Sequence, residues 1–137
     1  MAREPRWLSR TVVDAIQHEL IAEHGGAHGT RAGGEALIES AVERPRQRFE
    51  YEPNSDLPSL AAAYLFGLAK NHGYVDGNKR VAFAVATAFL LVNGLRLTAT
   101  ESDAYDLVVG VAAGLYSEVD IAVWIRRNHE VIRRGDV

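Results

Sequence analysis

"KNHGYVDGNKRVAF", residues 70–83, decides how this chain is read. It sets a histidine, an acid, an amide and two cations on a stretch loosened by Gly73 and Gly77, and the sequence then turns almost wholly apolar. Upstream, Leu60, Tyr64, Leu65 and Leu68 recur at helical spacing. Downstream, the run from about Asn78 to Val92 is apolar on nearly every side, the pattern of a helix buried all round. The stretch is therefore a polar loop between two core helices, with Asn78, Lys79 and Arg80 in the first turn of the second.

The remaining elements follow outward from this pair. Asp56 caps the upstream helix, and Pro58 is tolerated in its first turn. Before it, Thr11 with Asp14 three positions on predicts a capped helix start, with Val12, Val13, Ile16 and Leu20 on one face and a stop at Gly25-Gly26. The glycine-rich "HGGAHGTRAGG" is a loop. A second helix is predicted over Glu35–Glu43, ending before Pro45, and "RQRFEYEP" has Phe49 and Tyr51 at strand spacing, so it reads as a possible short extended flap. After Asn93-Gly94, "LRLTAT" is an extended link. Two last helices are predicted over about Ser102–Leu115 and Ser117–Arg133, the latter with Ile121, Trp124, Ile125 and Val131 inward. The expectation is an all-α single domain over residues 1–137, about six helices around a central buried helix.

Bulk properties narrow the function classes. The 137 residues suffice for one domain with a real core, and 47% hydrophobic with 24% charged residues is ordinary for a globular chain. Without cysteine there is neither a disulfide nor a thiolate metal site, and a cytoplasmic location is expected. The polar start "MAREPRWLSR" has no signal-peptide core. The longest apolar run, Val81–Val92, falls well short of the roughly 20 residues of a membrane span. A net charge of -3 argues against nucleic-acid binding by this chain alone. The basic clusters at Arg44, Arg46 and Arg48 and at Arg126, Arg127, Arg133 and Arg134 read as solvated helix ends.

The loop's chemistry is more pointed. A helix N-terminus offers unpaired N–H groups and positive potential, and Gly73 and Gly77 allow neighbouring amides to converge into a nest. Asn78 adds an amide donor, and Lys79 and Arg80 add charge suited to a phosphate chain. Two cations in a first turn are otherwise unfavourable, by roughly 0.3–1 kcal/mol each. Asp76 could hold Mg²⁺ against phosphate oxygens, and His72 could act as general base toward an attacking hydroxyl. From chemistry alone a structural reading stands beside this one: His72 as a helix terminator, Asp76-Gly77 as a turn, and Arg80 paired with Asp76.

"HGYVDGNKR" is similar to the core motif of the Fic/Doc (Fido) superfamily, His-Pro-Phe-x-Asp/Glu-Gly-Asn-Gly-Arg, in the form of its Doc branch, which carries lysine where the last glycine stands. "HGTRAGGEALIESAVERPRQRFEYE", "LAAAYLFGLAKNHGYVDGNKRVAF" and "FLLVNGLRL" resemble Doc-like sequences in the same order, so the resemblance covers most of the chain. It implies the all-α Fido fold, His72 as base toward a protein hydroxyl, Asp76 as the Mg²⁺ ligand, Asn78 and Arg80 on the phosphates of ATP, and Gly77 giving close backbone approach. Lys79 in place of glycine implies a reversed nucleotide that presents its γ-phosphate. The implied activity is a toxin kinase acting on a threonine of translation elongation factor Tu, arresting translation. AMP transfer and a catalytically silent binding module are the alternatives. No internal Ser/Thr-x-x-x-Glu-Gly/Asn segment is present, so inhibition is expected in trans from a cognate antitoxin. Gly73 and Tyr74 replace the motif's Pro and Phe, and Ala32 stands where an acid often follows the arginine; the two loop changes put its rigidity in question.

Overall fold

A computed structural model describes residues 3–133; Arg134 lies outside them. Helix α1 spans Arg10–His24, α2 Gly34–Tyr51, α3 Leu57–Asn71 and α4 Asn78–Val92. Strand β1 (Leu95–Leu97) follows, then α5 (Glu101–Ala112), α6 (Glu118–Arg127) and β2 (His129–Val131). The expected all-α architecture is present, with a two-stranded ribbon as its only sheet among the described residues.

The buried centre is α3. Every residue from Pro58 to Leu65 and from Gly67 to Ala69 is buried, and α2, α4, α5 and α6 all pack against it. Asp56 caps it, its carboxylate accepting the Ser59 N–H at 3.0 Å. At Gly67 the α2 backbone comes so near that an added Cβ would lie 3.1 Å from Ala41 Cβ. Helix α4 is less enclosed than its composition predicts: Val81, Ala82, Val85, Ala86, Phe89 and Leu90 face the core, while Phe83, Ala84, Thr87 and Ala88 form a half-buried opposite face. That open face becomes one wall of the cleft described below.

Several boundaries differ from the sequence reading. The cap of α1 is Ser9, whose hydroxyl accepts the Val12 N–H, rather than Thr11. Helix α2 runs through Pro45 to Tyr51, so "RQRFEYEP" is not an extended flap. Proline's missing donor and ring normally break a helix. Here Pro45 is buried, and tertiary contacts hold the turns on either side: Arg44 pairs with Glu118 at 2.6 Å, Arg48 pairs with the same carboxylate, and Phe49 packs edge-on against Trp7 with centroids 5.7 Å apart. Trp7 also stacks on Phe89, which gives the N-terminal segment its anchor.

The last predicted helix ends early, at Arg127. Asn128 closes it by donating to Trp124 O, and β1 offers a strand edge that residues 129–131 take up antiparallel, pairing Leu95 with Val131 and Leu97 with His129. Val131 is thereby exposed instead of inward. Trp124 is half-buried and packs against the core. No described helix is long and apolar enough to cross a membrane.

Candidate active site

The loop between α3 and α4 is tied down at almost every residue. Tyr74 pairs with Thr30 of the glycine-rich loop as an isolated antiparallel bridge, with Arg31 N donating to Gly73 O (3.1 Å) and Val75 N to Gly29 O (3.0 Å). The Tyr74 ring is buried, and its hydroxyl donates to Asp14 Oδ1 at 2.6 Å. Burial, then Asp14 itself, pushes the Tyr74 phenol well above its ordinary value, so it stays a donor. The requirement that this hydroxyl find a partner is met from α1.

Gly73 does not loosen the loop. Its φ is not positive; glycine is needed there because an added Cβ would lie 2.5 Å from Ile38 Cδ1. Gly77 is a different case. It occupies the left-handed region (φ 82°) that starts α4, which only glycine adopts at little cost.

Residue His72 ends α3 in the left-handed region, φ 49° and ψ 46°, the only non-glycine with positive φ among the described residues. Such a conformation costs roughly 1–3 kcal/mol and persists only where neighbours enforce it. The His72 side chain is exposed and has no hydrogen-bond partner among the described residues.

Asp76 is also exposed; its Oδ2 accepts the Ala27 N–H at 2.7 Å, and no donor among the described residues reaches Oδ1. Gln17, almost fully buried, donates to the main-chain oxygens of Ala27 and Asp76 and joins the two loops. Asn78 does something the sequence reading missed. Its Oδ1 accepts Tyr74 N–H (3.0 Å) and its Nδ2 donates to Tyr74 O (2.9 Å), so the side-chain amide closes the loop on itself. The backbone N–H of Asn78 has no acceptor among the described residues.

No side chain caps α4, and the first N–H groups of Asn78, Lys79 and Arg80 have no acceptor among the described residues. Lys79 and Arg80 are exposed and form no ion pair there; Arg80 does not pair with Asp76. An uncapped, uncompensated positive helix end with two free cations is an anion site in electrostatic terms.

His72, Asp76, Gly77, Asn78, Lys79 and Arg80 all line one cleft of about 860 Å³. Sequence reasoning did not foresee its other wall: Leu20 and His24 from α1, Phe83 and Ala84 from α4, and Glu101, Tyr105, Val108 and Val109 from α5. The available signal was Phe83-Ala84, placed one turn beyond the cations. Among the described residues no three His, Asp or Glu side chains gather as a metal cage. A lone carboxylate oxygen beside an anion site fits Mg²⁺, which is typically held by one or two carboxylates together with phosphates and water.

A family model described as the Fic/DOC family matches residues 7–90. Protein kinase doc of Escherichia phage P1 is 34% identical over 122 residues, which cover 89% of this chain and 94% of that protein. Toxin Doc of Mycolicibacterium smegmatis is 42% identical over 84 residues, covering 61% of this chain and 60% of that protein. The chain belongs to the Fic/DOC family. Both relatives bear the Doc name, and with Lys79 at the discriminating position the chain falls on the Doc branch.

Proposed function

We propose that this chain is a Doc-type toxin that transfers the γ-phosphate of ATP to a threonine hydroxyl of a protein. Translation elongation factor Tu is the candidate acceptor, and arrest of translation in the cytoplasm the outcome. The observation that carries this reading is the convergence of an unpartnered histidine, a free carboxylate oxygen and an uncapped helix N-terminus with two free cations on one cleft. Its volume lies within the usual range of nucleotide-sized sites, roughly 300–1,000 Å³.

The N–H groups of Asn78, Lys79 and Arg80 hold phosphate oxygens, and the Arg80 guanidinium engages two at once. Lys79 occupies space that a glycine would leave to the phosphates, so the nucleotide presents its terminal phosphorus to the acceptor. His72 takes the proton of the acceptor hydroxyl as its oxygen bonds to the γ-phosphorus; the bond from that phosphorus to the bridging oxygen breaks, and ADP leaves. Asp76 would hold Mg²⁺, which would supply positive charge to offset that on the phosphate oxygens. With no internal Ser/Thr-x-x-x-Glu-Gly/Asn segment in the sequence, inhibition falls to a cognate antitoxin acting in trans.

Transfer from ATP labelled in parallel at the α- or γ-phosphate, with purified elongation factor Tu and with whole bacterial lysate, tests the reading. A γ-labelled protein that disappears with His72→Ala is expected. An α-labelled product would replace kinase chemistry with AMP transfer, and a folded protein that labels nothing would leave a binding module. Lys79→Gly is expected to move label from γ toward α; an unchanged product would refute the steric role of Lys79.

A further inference from the structure

The glycine-rich loop carries one side chain that the chemistry above does not use. Arg31 donates to three consecutive carbonyls: its Nη2 to Asn71 O at 3.3 Å, its Nε to His72 O, and its own backbone N–H to Gly73 O at 3.1 Å. These oxygens flank His72 on both sides. Two of them belong to the end of α3, where unpaired carbonyls and the negative end of the dipole favour a cation. No carboxylate pairs with Arg31 among the described residues, and Ala32 follows it in sequence. The guanidinium is therefore committed to the helix end.

We infer that Arg31 is a positioning residue for His72. It holds the three peptide units around His72 so that this residue stays left-handed and its ring stays directed into the cleft. Residue 72 alone does not favour that conformation, because only glycine, and to a lesser degree Asn or Asp, adopts it readily. Helix α3 ends where the imidazole is wanted, and Arg31 supplies from a separate loop the fixation that a glycine cap would supply without a side chain. A planar guanidinium fork can serve two carbonyls at once; an ammonium cannot hold both in the same geometry. Asn71 secures the other side of the turn, donating from Nδ2 to Leu37 O at 2.9 Å. The inference rests on His72 being the general base.

The test compares Arg31→Ala and Arg31→Lys with wild type in the full chain, using steady-state transfer to elongation factor Tu and the three-bond HN–Hα coupling of His72 by NMR. Arg31→Ala is expected to lower kcat about 10- to 100-fold, the scale of a misplaced catalytic group. The KM for ATP should stay within about twofold, because the N-terminus of α4 and Asp76 are untouched. The His72 coupling should lose its left-handed value in the same variant, and Arg31→Lys should recover part of both. Wild-type kcat together with an unchanged coupling in Arg31→Ala would overturn the inference, as would equal losses in kcat and ATP binding. If Arg31→Ala does not fold, Arg31→Lys decides by the same two readouts. If wild type transfers nothing, the kinase reading fails on its own, and the coupling still reports whether Arg31 sets the conformation of residue 72.

Discussion

Gly73→Ala is the most demanding check on the packing that supports the loop. The new methyl would sit 2.5 Å from Ile38 Cδ1, 2.7 Å from Ile38 Cγ1 and 3.0 Å from Gly34 O. Ile38 is fully buried, so it cannot swing into solvent to make room. Overpacking of this kind costs about 1–3 kcal/mol. Because Gly73 has no positive φ, alanine is compatible with the backbone and recovers about 0.4–1 kcal/mol through the unfolded chain. The net expectation is a loss of about 1–2 kcal/mol, measured by urea denaturation with an unchanged m value. Ile38→Ala alone should cost about 2–5 kcal/mol. In the double variant the added methyl fills part of that hole, so the combined loss should fall short of the sum by about 1–2 kcal/mol. Gly34→Ala offers no such escape, since its Cβ would lie 2.0 Å from Gly73 O, a backbone atom, and it should be the most damaging of the three. Additivity of the Gly73 and Ile38 losses within about 0.5 kcal/mol would refute the contact.

Two further outcomes concern the loop's partners and the central helix. Tyr74→Phe should cost about 1 kcal/mol by removing the bond to a half-exposed Asp14, with Arg10 still paired to that carboxylate. In wild type the phenol titrates higher folded than unfolded, so stability should fall as pH rises past about 10, and the Phe variant should show a shallower limb in pH-dependent melts, the remainder coming from buried Tyr64, whose phenol is also pushed up by burial. Asp56 is held down from 3.8 to about 2, chiefly by hydrogen bonds from Arg126, then by those from Ser59. Its contribution is present above pH 4 and lost as pH drops toward 2. Linkage alone would give about 2.4 kcal/mol, and half-exposure with salt screening reduces this to about 1. Asp56→Asn, which still caps the helix, should flatten that acid limb; an unchanged limb would show that other carboxylates set it.

The sequence by itself determined the helical class and the chemical inventory. Apolar spacing through Leu60, Tyr64, Leu65 and Leu68, the Asp56–Pro58 start and the Gly25 and Asn93-Gly94 stops are local signals, and the structure has them where they were read. The motif residues sit within nine positions, so chain connectivity alone brings them to one place. Tertiary structure decided what local propensity could not. Proline at position 45 signals a helix end, yet α2 continues because Glu118 and Trp7, both distant in sequence, hold the turns around it. Val131 has helical spacing, yet it forms a strand because β1 presents an unpaired edge. The amide of Asn78 looked like a phosphate donor, and whether it turned outward or closed the loop depended on where Tyr74 was pinned. Arg31 was legible only as part of the Doc-like "HGTRAGG" stretch, with nothing in the sequence to say what it touches: its hydrogen bonds to the end of α3 arise because folding lays that loop beside a helix end forty residues later in the chain. Local spacing fixes which groups are near in sequence, whereas the fixation of the left-handed turn at His72 is a contact between distant segments, set only when the whole core closes.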